Sequence, residues 1–179
     1  MEASDRARFE ALMLPHLDAA YTLARYWTRN EHDAEDIVQD AYLKAFRYFD
    51  GYRGEGATSA RAWLLAIVRN SAHSSRRRGR FDALTTEFDD TEHSRAAIDD
   101  RPDDTDASQV RGDAKETLGR ALRRLAPEFR EVIVLRELQG LSYKEISEVA
   151  GVPVGTVMSR LSRARARLQE TLREEERVE

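Results

Sequence analysis

Apolar positions recur at helical intervals through most of the chain, and no stretch alternates for a strand's length, so the pattern predicts helices and no strands. Between Phe9 and Arg29, Phe9, Leu12, Leu23 and the Tyr26–Trp27 pair sit among small residues at helix-compatible spacings. Asn30 stands where an N-cap belongs, with Asp33 and Glu35 in the turn that follows, where carboxylates meet the positive end of the helix dipole. The helix it opens is expected to run to about Phe49. It carries two adjacent apolar stripes, Ile37–Ala41–Ala45–Tyr48 and Val38–Tyr42–Phe46–Phe49. So wide an apolar arc predicts a helix that is largely buried or partnered. The glycines 51, 54 and 56 then break the pattern. A third helix is expected from near Ser59, through Trp63, Leu64, Ile67 and Val68, to Arg76-Arg77-Arg78.

Residues 80–112 read differently. Asp, Thr, Ser and Arg dominate, and apolar residues are too sparse to offset the entropy of ordering the chain. Phe81, Leu84, Phe88 and Ile98 are the exceptions, suited to docking. Helical spacing returns over 113–173, with Leu118, Leu122 and Leu125 on one face. Pro127 suits the first turn of PEFREVIVLREL, and Gly140 its end. Ser142, with Glu145 three residues on, makes a capping box for YKEISEVA. Gly151-Val152-Pro153 is a tight turn, and a last helix is expected from about Val154 to Glu175. The expected fold is all-α: two small helical domains, 1–79 and 113–179, joined by a flexible acidic linker, 80–112.

Two short helices about a Gly-containing turn make a helix-turn-helix. Ile146, Val149 and Ala150 can pack on Val157 and Leu161. Val157, Leu161, Ala164 and Leu168 fall within a narrow arc of the second helix. At about 100° per residue, its opposite face carries Gly155, Ser159, Ser162, Arg163 and Ala166. Small polar groups and an arginine there suit a helix entering the DNA major groove, where Arg grips guanine bidentately. Met158, Arg160, Arg165 and Arg167 flank that face, and arginines so placed neutralise phosphates.

Charge by segment supports this reading where the total does not. The chain of 179 residues is net −4, which taken alone argues against a polyanion partner. Yet residues 1–79 are net +1, 80–116 net −7 and 117–173 net +5. The basic block is the one with the helix-turn-helix. There is no cysteine, which excludes disulfides, Cys-ligated zinc and thiol catalysis. His16, His32, His73 and His93 are dispersed and make no metal-ligand spacing. No metal, cofactor or catalytic group is expected. With no run of about 18 apolar residues and no basic-then-apolar leader, a cytoplasmic place is expected.

The first block adds an acidic run (Glu31, Asp33, Glu35, Asp36, Asp40), an aromatic run (Tyr42, Phe46, Tyr48, Phe49, Tyr52), the glycine loop and a helix ending in three arginines. Aromatics beside such a loop can receive unstacked bases. Together, DAEDIVQDAYLKAFRYFD, ARAWLLAIVRN, LPHLDAAYTLAR and LSYKEISEVAGVPVGTVMSRLSRARARL resemble the extracytoplasmic-function sigma factors, bacterial factors that keep only sigma regions 2 and 4. The likeness covers about residues 9–79 and 117–170, two independent blocks in the expected order.

The resemblance implies a non-enzymatic factor whose partners are core RNA polymerase (clamp coiled coil and flap), promoter DNA and an anti-sigma factor. Region 2 would dock on the polymerase through Asp33, Asp36, Gln39, Asp40 and Lys44. It would meet and open the minus-ten element through Tyr52, Arg53, Arg61, Trp63, Arg69, Asn70, Arg76, Arg77 and Arg78. Region 4 would meet the minus-thirty-five element through Gly155, Thr156, Met158, Ser159, Arg160, Ser162, Arg163, Arg165 and Arg167. Met158 stands where many members carry a basic residue, so that ionic contact is missing. Polymerase docking would fix the spacing of the two blocks, so that two weak DNA contacts act at high effective concentration. The alternative is a stand-alone helix-turn-helix regulator that binds duplex operators as a dimer.

Overall fold

The computed structural model describes residues 3–28, 30–54, 56–77 and 116–177, all of them helix, turn or loop. The linker 80–112, its four apolar residues and Arg78 lie outside these. In the first block, α1 (Ala3–Met13) leads through a 3-10 turn (Leu14–His16) into α2 (Leu17–Arg25). α3 (Glu31–Tyr48) passes through a second 3-10 turn (Phe49–Gly51) to α4 (Gly56–Arg77). In the second block come α5 (116–124) and α6 (Pro127–Ile133), which continues into a π-helical turn (Val134–Leu138). α7 (Tyr143–Ala150) and α8 (Val154–Glu176) complete it.

Local chemistry explains most of the boundaries. The spacing from Phe9 to Arg29 hides a break at Pro15, which cannot donate the helical hydrogen bond its position requires, and the chain turns there into a 3-10 helix. Asn30 does cap α3, its side chain accepting from the Asp33 amide at 2.8 Å. α4 begins at Gly56, three residues earlier than expected, which leaves Ser59 inside the helix rather than at its cap.

α3 packs on α2 and α4, and Phe9 of α1 closes one side. The Phe9 ring meets Phe46 and Phe49 edge-on at 5.1 and 5.2 Å, and the Tyr42 hydroxyl donates to the Met13 carbonyl at 2.8 Å. Tyr48, expected in an apolar stripe, is 61% exposed: α3 ends there, and the 3-10 turn that follows carries Phe49 into the core instead. In the second block α6 packs on α8, burying Leu122, Val132, Leu135, Ile146, Val157 and Leu161. Leu118 lies a turn outside this core and is exposed, unlike Leu122 and Leu125.

The two blocks touch. α4 packs on α7 as well as on α1, α2 and α3, so one helix serves both cores. Three polar side chains of the second block sit buried near this seam: Arg130, Glu131 and Gln139.

Candidate nucleic-acid interface

The helix-turn-helix is built as its residues require. Ser142 accepts from the Glu145 amide at 3.2 Å while the Glu145 carboxylate accepts from the Ser142 amide at 2.8 Å, which closes the capping box. Gly151 ends α7 at φ +66°, in the left-handed region where a side chain costs about 1–2 kcal/mol. The Pro153 carbonyl then accepts from the Thr156 and Val157 amides and starts α8. Val157, Leu161 and Ala164 are fully buried against α6 and α7. That fixes the rotation of α8 and leaves Gly155, Met158, Ser159, Ser162, Arg163 and Ala166 exposed, with Thr156 and Arg160 half-buried.

The flanking arginines are less free than their spacing suggests. Arg165 donates to the Glu137 carboxylate at 2.7 Å, and Arg167 lies over the Phe129 ring at 4.7 Å. Both are exposed and held by weak, solvent-screened interactions that DNA phosphates can replace.

In the first block, α3 presents Asp36 and Gln39 to solvent. Lys44 is tied back to Asp40 at 2.6 Å and to the Ser71 hydroxyl at 3.0 Å. Asp33 is half-buried, and burial pushes its carboxyl up despite the hydrogen bond from Asn30. Sequence reasoning passed over Leu43, one helical turn past Gln39 and Asp40 and 64% exposed. The signal was present: a large apolar residue outside both stripes of α3.

The loop after α3 folds in on itself. Tyr52 is buried, its ring stacked on Phe49 at 5.8 Å and leaning on Trp63 at 5.0 Å. A Cβ on Gly54 would overlap that ring, so the close approach requires glycine there. The Tyr52 hydroxyl is buried without a hydrogen-bond partner among the described residues. Arg53, Asn70, Arg76 and Arg77 are exposed. Arg61 and Arg69 are not. Arg61 donates to the Gln139 amide oxygen at 2.7 Å, and Arg69 is ion-paired with Glu131. Sequence reasoning missed Glu131 and Gln139, although charged residues interrupting the apolar run of PEFREVIVLREL were a visible cue. It also missed Arg130, which donates to the carbonyls of Leu122, Arg123, Leu125 and, across the seam, Tyr26.

Among the described residues no group of three or more His, Asp or Glu is placed to hold a metal ion, and no helix is long and apolar enough to cross a membrane.

These two blocks each match a known family. Residues 12–81 match Sigma-70 region 2, and residues 115–168 match Sigma-70, region 4. The ECF RNA polymerase sigma factor SigM of Mycobacterium tuberculosis is 35% identical over 95% of this chain and 80% of its own length. The chain belongs to the ECF sigma factors. ECF sigma factor SigE of Mycolicibacterium smegmatis is 36% identical over 92% of this chain, which spans 61% of that relative's length. Among solved structures, the sigma factor RpoE of Bartonella quintana, crystallised with the anti-sigma factor NepR, is similar over 96% of this chain and 98% of its own. That likeness has a TM-score of 0.65 at 29% identity. Its helices and the absence of strands among the described residues agree with an all-α sigma factor of regions 2 and 4.

Proposed function

We propose that this sigma factor binds core RNA polymerase in the cytoplasm, brings it to particular promoters and helps open the minus-ten element. Residues 1–79 act as region 2 and 113–179 as region 4, with 80–112 as the connector. Asp33, Asp36, Gln39, Asp40 and Lys44, now joined by Leu43, form the face for the polymerase clamp. An exposed leucine ringed by polar groups is the composition of a protein-docking surface. Tyr52, Arg53, Arg61, Trp63, Arg69, Asn70 and Arg76–Arg78 meet the minus-ten strand. Gly155, Thr156, Met158, Ser159, Arg160, Ser162 and Arg163 enter the minus-thirty-five major groove, and Arg165 and Arg167 meet phosphates. An anti-sigma factor, the partner of the related Bartonella protein, holds the chain inactive by covering these faces. Bond formation belongs to the polymerase.

The observation that carries this reading is the exposed polar face of α8, locked in rotation by a capped helix-turn-helix, in one chain with a region 2 block. Run-off transcription tests it, with purified core polymerase and a pool of promoter fragments randomised at both elements. Transcripts that need the chain and share two spaced elements are expected. DNA binding without polymerase, on a palindrome, with no transcripts from a core enzyme that also fails to bind the chain, would favour the stand-alone regulator.

A further inference from the structure

Val154 and Met158 stand one turn apart at the start of α8, 40% and 53% exposed, and neither joins the core. Among the described residues they are the two large apolar side chains that this helix leaves exposed. From Ser159 onward its exposed side chains are polar, charged or alanine. Val157, Leu161 and Ala164 already anchor the helix, so the fold does not use the pair. At about 100° per residue, Val154, Met158 and Ser162 make one line along the edge of the outward face. Gly155 beside them presents no side chain, and the space where a Cβ would stand is open. The arginines that follow, Arg160, Arg163, Arg165 and Arg167, make a phosphate-bearing partner the complement of this helix.

The apolar pair therefore meets whatever apolar group the major groove offers, and that group is the C5-methyl of thymine. The methyl projects from the edge of the base pair nearest the groove wall, where the flank of an inserted helix passes. The neighbouring hydroxyl adds to this. Ser159 donates to the Thr156 carbonyl at 3.1 Å, so its oxygen faces a base as an acceptor. Adenine and cytosine offer amine donors in this groove, and the A·T pair combines a donor with the methyl.

We propose that Val154 and Met158 are specificity-determining residues of region 4, which select an A·T pair in the minus-thirty-five element by packing on its thymine methyl. The inference rests on α8 entering that element.

The probe is the minus-thirty-five element returned by the run-off selection, with each thymine of either strand replaced singly by deoxyuridine. This removes the methyl and keeps every hydrogen-bonding group. Promoter binding by the reconstituted holoenzyme is titrated. At one thymine, the replacement is expected to raise the half-saturating concentration about fourfold, the equivalent of unburying one CH2-sized group. In Met158→Ala the same replacement is expected to act by under about twofold, and in Val154→Thr by an intermediate amount. Both side chains lie outside the core, and both variants are expected to keep the parent's Tm. No thymine methyl worth more than about twofold in the parent would overturn the inference, as would a penalty of unchanged size in Met158→Ala or a selected element without an A·T pair. Each of these leaves region 4 on its element. Selected promoters that share no minus-thirty-five sequence would instead remove the region 4 reading itself.

Discussion

Replacing Arg130 by Met tests how much of the fold hangs on one buried cation. Its guanidinium donates to four carbonyls at 2.7–3.1 Å, three from the α5–α6 turn and one from the end of α2. Hydrogen bonds to a charged group contribute about 1.5–3 kcal/mol each, so the four come to about 6 kcal/mol at the low end. Burial, with Arg123 alongside, pushes the Arg130 pKa down from 12.5 to about 10. At about 1.4 kcal/mol per pH unit, that places about 3 kcal/mol against the charged form. The bonds win, and Arg130→Met is expected to destabilise the chain by about 3 kcal/mol, or about 6–12 °C in Tm for a chain of this size. Urea unfolding followed by circular dichroism measures it. Arg130→Lys keeps the charge on a compact head with three donors and is expected to recover less than half. A loss under about 1 kcal/mol in Arg130→Met, or a Lys variant equal to the parent, would refute the assignment of those carbonyls to Arg130.

Two further outcomes follow from the site. His73 packs edge-on against Trp27 at 4.4 Å, and burial, with Arg69 and Arg76 nearby, holds its pKa below the usual value. The unfolded chain therefore takes up a proton there that the folded chain refuses, so the His73 contribution is intact above about pH 6.5 and is lost as pH falls below it, at no more than about 1.4 kcal/mol per pH unit. Urea midpoints between pH 7.5 and 5.5 should slope less in His73→Gln than in the parent. Met158 is 53% exposed on the outward face of α8, so Met158→Arg should add one phosphate contact and steepen the salt dependence of duplex binding by about one.

The caps and turns of the second block were legible because each is a local transaction: Ser142 with Glu145, Gly151 with its own backbone, Pro153 with the first turn of α8. The face of α8 was legible for a related reason, since Val157, Leu161 and Ala164 fix a rotation that 3.6-residue periodicity already states. Boundaries set by less obvious local chemistry, at Pro15 and Gly56, were misread. What sequence could not supply was pairing across distance. Arg69 and Glu131 are 62 positions apart, and Arg61 and Gln139 are 78. Nothing periodic links them, and an arginine in a basic helix looks solvated until a carboxylate from another block is set beside it. The packing of the Tyr52 ring on Phe49 and Trp63 was equally silent in the sequence, although Gly54, which makes room for that ring, was in plain view.

The π-helical turn after α6 holds one residue more than an α-helix would. The Gln139 amide reaches back to the Val134 carbonyl, and the Leu141 amide to that of Leu135, before Gly140 turns the chain at φ +64°. That surplus residue works like the offset between two gears on one shaft. Upstream, Glu131 meshes with α4; downstream, α7 and α8 aim the recognition face. Deleting one residue within 134–138 would advance everything after it by about 100°, so that seam and recognition face could no longer both mesh with their partners. The count of residues in this segment is therefore a constraint of its own, separate from the one that the fully buried Val134 and Leu135 place on its composition.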